Sequence, residues 1–288
     1  MASDGAASFN SVINVRAIAM NFKTQQGRNA PLCAAASVLL IVCSGSVFAQ
    51  PPGGRGGRGG PPPPPLTPKA MAPEDVSGYW VSVVTEDWRF RMVTPAKGDY
   101  ASVPLNQAGR READTWDPAK VEAAGEQCKS YGAAGLMRVP GRIHITWQDD
   151  KTLKVETDSG KQTRIFHFDA VAPANEKPSL QGYSVASWDG PPPGRGRGAR
   201  GPMRAGSLKV VTTHLAPGFL RKNGVPYSAN TILTEYYSRT NETNGDSWLI
   251  ITTIVDDPMY LTGPFVTSTN FKLEPNGNKW MPMACEAK

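Results

Sequence analysis

The sequence predicts a mainly β protein whose strands form an antiparallel meander that closes into a lipocalin-like barrel with one or two short N-terminal helices. Between 233 and 265, two runs rich in Val, Ile, Thr, Tyr and Trp flank Asn244-Gly245, a strong hairpin signal that fits a type I′ turn. Short turns separate most of the predicted strands, so neighbours are expected to pair antiparallel. The run 248–255 carries apolar residues on both faces, as a barrel strand does when other segments pack outside it.

A short run of alternating apolar and basic residues follows the first strand of the domain. Trp88, Phe90 and Met92 alternate with Arg89 and Arg91, which is the period of a strand. We therefore predict a strand here. Its apolar side chains are expected to face the main core, and its arginines to face the other way.

Helical composition is confined to 104–128, which is rich in Ala, Glu, Arg and Lys. Asp117-Pro118 supplies an N-cap and a first-turn proline for a second short helix. Val121 and Cys128 are seven residues apart, so the cysteine is expected on the buried side of that helix.

The remaining strands are bounded by turn dipeptides such as Ser159-Gly160, Asn223-Gly224 and Asn276-Gly277. Proline at 258 ends the second strand of the long hairpin, because it cannot donate a ladder hydrogen bond. These predicted strands are 76–84, 141–147, 152–157, 161–168, 182–188, 206–214, 231–239, 248–255, 266–273 and 279–281.

A signal peptide is predicted at 1–49, with 1–19 as an upstream extension. Basic residues precede the apolar run 34–42, and small residues before Gln50 fit cleavage after Ala49. The apolar run is too short to span a bilayer. The mature chain is therefore predicted to be periplasmic or secreted, without a transmembrane segment.

Two tracts rich in Gly, Pro and Arg have too few apolar side chains to offset the entropy lost on ordering. We predict a disordered linker at 50–72 and a disordered loop at 190–206 inside a barrel domain at 73–288. Export argues against an RNA-binding role for the RGG repeats of the linker.

Cleavage would remove Cys33 and Cys43, which leaves Cys128 and Cys285 in an oxidising compartment. A disulfide between them is the favoured interpretation. Two free thiols, or two ligands of a metal site, are the alternatives. Lipid attachment at Cys43 is disfavoured because the residue before it is not small.

The net charge of +6 is unevenly distributed. Without the three basic residues and one acidic residue of the leader, the mature chain has 28 basic and 24 acidic residues, and six of the arginines lie in the two low-complexity tracts. The folded body is therefore slightly acidic. This distribution favours loose contact with anionic envelope material over a nucleic-acid partner.

Several short motifs connect the chain with a known group. They are ADTWDP at 113–118, QC at 127–128, MRVP at 137–140, LTEY at 233–236 and VDDP at 255–258. With the leader, they make the chain resemble a family of uncharacterised secreted bacterial β-rich proteins over most of residues 75–286. The resemblance implies a lipocalin-like or calycin architecture and no particular activity.

Two stripes of polar residues are candidate binding surfaces. Asp87, Arg89 and Arg91 would share one strand face. Glu235, Tyr237 and Arg239 would form a similar stripe on a later strand. If either face lines the lumen, its guanidinium groups need an anion; if it lies outside, it is a solvated surface. The candidate ligand-binding residues are Trp88, Arg89, Arg91, Glu235, Tyr237 and Arg239.

The sequence assigns no catalytic residue, cofactor or metal. It has no nucleophile elbow, phosphate loop, zinc helix or dinucleotide fingerprint. His144, His167 and His214 all fall on predicted strands, but their parity does not bring them together, so no metal site is expected.

Three hypotheses for function follow. The first is a barrel that binds a small, largely apolar or anionic ligand. The second is a lyase, isomerase or hydrolase on the same scaffold, using Arg89 or Arg91 with a Glu or His. The third is a structural module of the cell envelope whose barrel is packed solid.

Overall fold

The computed structural model describes residues 64–190 and 206–288, and the statements below concern these residues. The predicted signal peptide, most of the predicted linker and the body of the predicted loop, 191–205, lie outside the described residues and stay predictions. No helix in the described part is long and apolar enough to cross a bilayer.

Nine strands form a closed barrel, and two more form a separate hairpin. The barrel order is β1-β11-β10-β9-β6-β5-β4-β3-β2, and the hairpin is β7-β8. The predicted mainly β barrel is confirmed. The strands are β1 Gly78–Val83, β2 Arg142–Trp147, β3 Thr152–Thr157, β4 Thr163–Phe168, β5 Tyr183–Asp189, β6 Ser207–Thr213, β7 Gly218–Arg221, β8 Val225–Tyr227, β9 Ile232–Asn241, β10 Ser247–Asp256 and β11 Phe265–Glu274.

The helices are short and lie mostly between β1 and β2. Asp117 caps its helix as predicted, because its side chain accepts a hydrogen bond from the backbone N–H of Ala119 at 3.0 Å. The helices are α1 Pro68–Met71, α2 Trp88–Arg91, α3 Gln107–Ala113, α4 Pro118–Ala123 and α5 Ala133–Leu136, with a 3₁₀ turn at Gln127–Tyr131.

One pair of barrel strands is parallel, whereas the sequence predicts only antiparallel neighbours. β4 and β5 run in the same direction, with Phe166 opposite Ser184 and Phe168 opposite Ala186. The reason is topological: strands that alternate in direction can close into a ring only if their number is even. With nine strands, the ring must contain a parallel pair.

The β9–β10 hairpin is confirmed, but its turn differs from the predicted type I′. Gly245 has a φ of 88° while Asn244 does not have a positive φ, and the Gly245 N–H donates to the Glu242 carbonyl at 3.0 Å. This is the geometry of a type I turn followed by a glycine bulge. The Asn244 side chain favours it by accepting from the Asp246 N–H at 2.9 Å.

The barrel interior is filled with side chains. Large residues from most strands point inward and have almost no contact with solvent, so the barrel axis is a packed core. These residues include Trp80, Leu153, Phe166, Leu208, Tyr237, Leu249 and Phe271.

One end of the barrel is covered by the segment that precedes β1. The Trp80 indole N–H donates to the Val76 carbonyl at 3.0 Å, and the Trp188 indole N–H donates to the Pro68 carbonyl at 2.8 Å. The described structure thus starts inside the predicted linker 50–72, whose last residues include α1. The contact with Trp188 gives these linker residues an apolar partner, because they have few apolar side chains of their own.

The other end is covered by α3, α5 and the β7-β8 hairpin. Their apolar side chains form a second core with the ends of β9, β10 and β11. Tyr227 and Val225 of β8 are fully buried there. The sequence indicated the Asn223-Gly224 turn of this hairpin but not its two short strands.

The predicted strand at residues 88–92 is wrong. This segment is α2, in which Trp88 and Met92 are 65% and 59% exposed while Arg91 is only 8% exposed. The expectation that Trp88, Phe90 and Met92 face the main core is therefore also wrong, since Phe90 is only partly buried. The predicted last strand, 279–281, is irregular.

A left-handed residue explains the change from strand to helix. Asp87 has a φ of 49°, which turns the chain away from the direction of β1 before α2 begins. The Arg91 side chain then points into the protein because its hydrogen-bond partners lie there. Five alternating residues are compatible with a strand and with one helical turn, and these tertiary contacts decide between them.

Candidate anion-binding site

Three buried arginines line one pocket at the helix-covered end of the barrel. Arg91 ends α2, Arg138 follows α5, and Arg221 ends β7; they are 8%, 6% and 4% exposed. The ammonium-bearing Lys222 also lines the pocket. The cavity volume is about 30 Å³ and the pocket opens to solvent on one side, so it has room for a small ion and not for a larger molecule.

Arg91 is fully engaged by the protein. Its Nε donates to the Arg138 carbonyl at 2.9 Å, one terminal nitrogen donates to Ser82 Oγ at 3.1 Å, and the other is paired with Glu86. Burial lowers the pKa of Arg91, and the Glu86 carboxylate opposes this shift. Each of the three guanidinium nitrogens thus has a partner in the protein, and Arg91 holds α2 against the pocket.

Arg138 is only partly engaged. Its Nη2 donates to the Asp87 carboxylate at 3.0 Å, and its guanidinium lies 5.8 Å from the centroid of the Phe265 ring. Its Nη1 is buried without a hydrogen-bond partner among the described residues. One charged donor on this side of the pocket is thus available.

Of the three arginines, Arg221 has the fewest hydrogen-bond and ion-pair partners to offset the burial of its charge. Its Nη1 donates to the Ala101 carbonyl at 2.7 Å, and its guanidinium stacks 4.1 Å from the centroid of Phe90. Its Nε and Nη2 are buried without a partner, and no carboxylate in residues 64–190 or 206–288 forms a salt bridge with it. Burial and the neighbouring Arg138 lower the pKa of Arg221 to about 10.

The free edges of these two arginines suit an anion. Nε and Nη2 form the edge of a guanidinium that binds two oxygens of a carboxylate or phosphate side by side. The Nη1 of Arg138 adds a third charged donor. The nearby carboxylates of Glu86 and Asp87 are paired with Arg91 and Arg138.

A separate polar cluster lies inside the barrel. Arg164 binds Glu235 through both terminal nitrogens, at 3.0 and 2.7 Å, and the two side chains are 0% exposed. Thr212 Oγ1 accepts from Arg164 at 3.1 Å, and Tyr237 donates its hydroxyl to Glu235 at 3.3 Å. Burial acts to lower the pKa of Arg164, but Glu235 outweighs it and the pKa is raised. The charges of Arg164 and Glu235 therefore compensate each other.

The six residues predicted to bind a ligand lie in different places. Arg91 belongs to the pocket, but Arg89 is exposed and paired with Asp99. Glu235 and Tyr237 are enclosed in the barrel interior. The structure therefore does not bring the two predicted stripes together in one site.

Arg239 is partly buried and Trp88 is exposed. Arg239 lies near the covered end of the barrel next to β1, where it donates to the Asp75 carbonyl at 2.6 Å and its guanidinium is 5.6 Å from the centroid of the Trp80 ring. Trp88 lies on the surface of α2.

Sequence reasoning missed Arg138 and Arg221. Arg138 falls in the MRVP motif, and Arg221 lies two residues before the predicted Asn223-Gly224 turn, but an isolated arginine has no pattern that predicts burial. Only the fold, which brings β7 against α2 and α5, makes them a pair.

The predicted disulfide between Cys128 and Cys285 is confirmed, with a Cα–Cα distance of 5.1 Å. It joins the 3₁₀ turn to the C-terminal tail. Two residues further on in that turn, Ser130 lines the pocket. The bridge is thus close in sequence to one wall of the site.

The histidines lie apart, on outward positions of their strands or beyond a strand end. His144 stacks on Tyr79 with ring centroids 3.9 Å apart, and His167 stacks on Tyr183 at 4.8 Å. Burial lowers the pKa of His144, against the opposing effect of Glu156. Within the described ranges, no group of three or more His, Cys, Asp or Glu side chains is arranged to hold a metal ion.

No family model, curated protein or solved structure matches the chain. The resemblance to secreted β-rich proteins stays a prediction. The function is therefore argued from the geometry of the arginine pocket.

Proposed function

We propose that this chain is a periplasmic or secreted barrel protein that binds a small anionic ligand in the arginine pocket. The observation that carries the proposal is Arg221, a guanidinium 4% exposed whose Nε and Nη2 have no partner among the described residues. A buried cation without a hydrogen-bonded carboxylate is costly, and a bound carboxylate or phosphate would supply that partner.

The proposed compartment rests on the covalent structure. A disulfide persists in oxidising compartments and is rare in the cytosol. The predicted leader would direct the chain there. Intact mass of the protein from the cell envelope, with Gln50 as its first residue, tests the cleavage.

The charge and size of the pocket favour an anion over an apolar ligand. In the part of the chain that the structure describes, large buried side chains fill the barrel interior, so a fatty ligand enclosed in a lumen has no support. The three unpartnered nitrogens belong to two arginines that line the same pocket, and each charge-assisted hydrogen bond to an anion contributes about 1.5–3 kcal/mol.

We expect inorganic phosphate to bind wild-type protein and Arg221→Gln to weaken that binding by roughly tenfold or more, because two charged donors are lost. Isothermal titration calorimetry at low salt measures the affinity. Arg221→Lys should be intermediate, since a lysine keeps the charge but lacks the planar fork.

Arg89→Gln is the matched control. It makes the same chemical change on the neighbouring α2, but Arg89 is 65% exposed in its side chain and pairs with Asp99 outside the pocket. Phosphate affinity of this variant should stay within about twofold of wild type at 0.15 M salt, where exposed charges are screened. Equal losses in the two variants would indicate a general charge effect and contradict the proposed site.

A structural envelope module is the second candidate, favoured by the solid barrel interior. In that case the arginines only join α2, α5 and β7. Absence of binding by phosphate, sulfate and acetate up to millimolar concentrations would support this candidate over the first.

A further inference from the structure

An exposed apolar surface borders the arginine pocket. We define it as the apolar rim: Trp88, Met92 and Val93, which are 65%, 59% and 65% exposed. Val93 itself lines the pocket, while Trp88 and Met92 are one helical turn apart and so lie on the same side of α2. Single exposed apolar residues are ordinary, but three large ones within six positions of the chain need an explanation.

The rim is fixed in place by the same contacts that form the pocket. α2 has only four residues and would not be stable alone. Arg91 anchors it through Glu86, Ser82 and the Arg138 carbonyl. The segment therefore holds Trp88 and Met92 outward while its Arg91 and the following Val93 line the pocket.

We infer that the ligand is an amphiphilic anion, whose carboxylate or phosphate group binds the arginines and whose apolar chain or ring lies across the rim. This inference rests on the proposed anion site and names its ligand class. The pocket has room only for a small charged group and is open on one side, so the remainder of a larger molecule has to leave it over neighbouring surface. The arginines hold the anionic head group of the ligand by charge complementarity, and the apolar rim covers the apolar part of the ligand.

A series of monoalkyl phosphates tests the inference. Methyl phosphate and octyl phosphate carry the same head group, so calorimetric affinities on the wild-type protein isolate the contribution of the chain. We expect octyl phosphate to bind at least tenfold more tightly, since covering only a few methylenes gives that factor. Equal affinities for the two phosphates would overturn the inference and leave the anion site standing.

Variants separate the two parts of the ligand. In Trp88→Ala/Met92→Ala, the ratio of the octyl to the methyl affinity should fall toward one. In Arg221→Gln, both phosphates should weaken. Val266→Ala is the matched control, because Val266 is 57% exposed on β11 and does not line the pocket; its affinity ratio should equal that of wild type. Failure of both phosphates to bind wild type would instead reject the proposed function.

Two further ligands define the chemistry of the occupant. Octyl glucoside has the same chain without the charge and should bind at least tenfold more weakly than octyl phosphate. Comparable binding of both would overturn the anionic head group. Sedimentation with phosphatidylcholine–phosphatidylglycerol vesicles, without binding of monomeric octyl phosphate, would indicate a membrane surface and overturn the small-molecule ligand.

Discussion

Replacing Glu235 by glutamine is expected to destabilise the protein by about 3–5 kcal/mol. Glutamine has nearly the same shape, so the loss is not one of packing. It leaves the guanidinium of Arg164, which is 0% exposed, inside the barrel without its countercharge. Urea unfolding followed by tryptophan fluorescence and circular dichroism measures the change.

Glu156→Gln is the matched control, since Glu156 pairs with Lys154 on the partly exposed outer face of β3. Exposed ion pairs contribute about 0–1 kcal/mol, and the variant should fall in that range. The double variant Arg164→Met/Glu235→Leu removes both charges and should recover much of the stability. A loss below about 1 kcal/mol in Glu235→Gln would mean that Arg164 reaches another anion or water.

Local chemistry made much of the barrel predictable. Strand period, turn dipeptides and the Asp117 cap act over a few residues, so the sequence shows them directly. The predicted β3 agrees with the observed Thr152–Thr157, and the β9–β10 hairpin is in place. The type of its turn was not predictable, because Asn-Gly fits both a type I′ turn and a type I turn with a glycine bulge.

The features that the sequence did not predict depend on contacts between residues that are far apart in the chain. Arg91 is drawn inward by a carbonyl 47 residues away, which turned a predicted strand into α2. The closure of an odd number of strands forced one parallel pair, a property of the whole ring that no single strand carries.

Part of the polar cluster inside the barrel was predictable from the alternation of side chains along β9. Glu235 and Tyr237 share a strand face, as the sequence indicated, but their inward direction depends on Arg164, which is 71 residues from Glu235. The unpartnered nitrogens of Arg138 and Arg221 were not predictable, because they result from the tertiary structure alone. A guanidinium without partners can be recognised only after every neighbouring acceptor is placed.

Loss of the disulfide is expected to have the second large effect on stability. Cys128 and Cys285 are 157 residues apart. Closing so long a loop restricts the unfolded chain by about 5 kcal/mol in the entropic model, and a loss of about 2–4 kcal/mol is expected when the bond is removed. Cys285→Ser and Cys128→Ser/Cys285→Ser should lose the same amount in urea unfolding, because either change removes one bond.

The C-terminal tail should be the first part to open in these variants. Apart from the bridge, it is held by a hydrogen bond from the Met283 N–H to the Asp158 carbonyl at 2.8 Å and by one from the Glu286 N–H to the Tyr131 hydroxyl at 3.3 Å. Those bonds are weak alone, so hydrogen exchange of residues 283–287 should rise in Cys285→Ser more than in the barrel strands. Reduction should add two hydrogens to the intact mass of the wild type. If the unreduced native protein instead reacts with two equivalents of a thiol reagent, the bond is absent, and Cys128 is a free thiol beside the pocket.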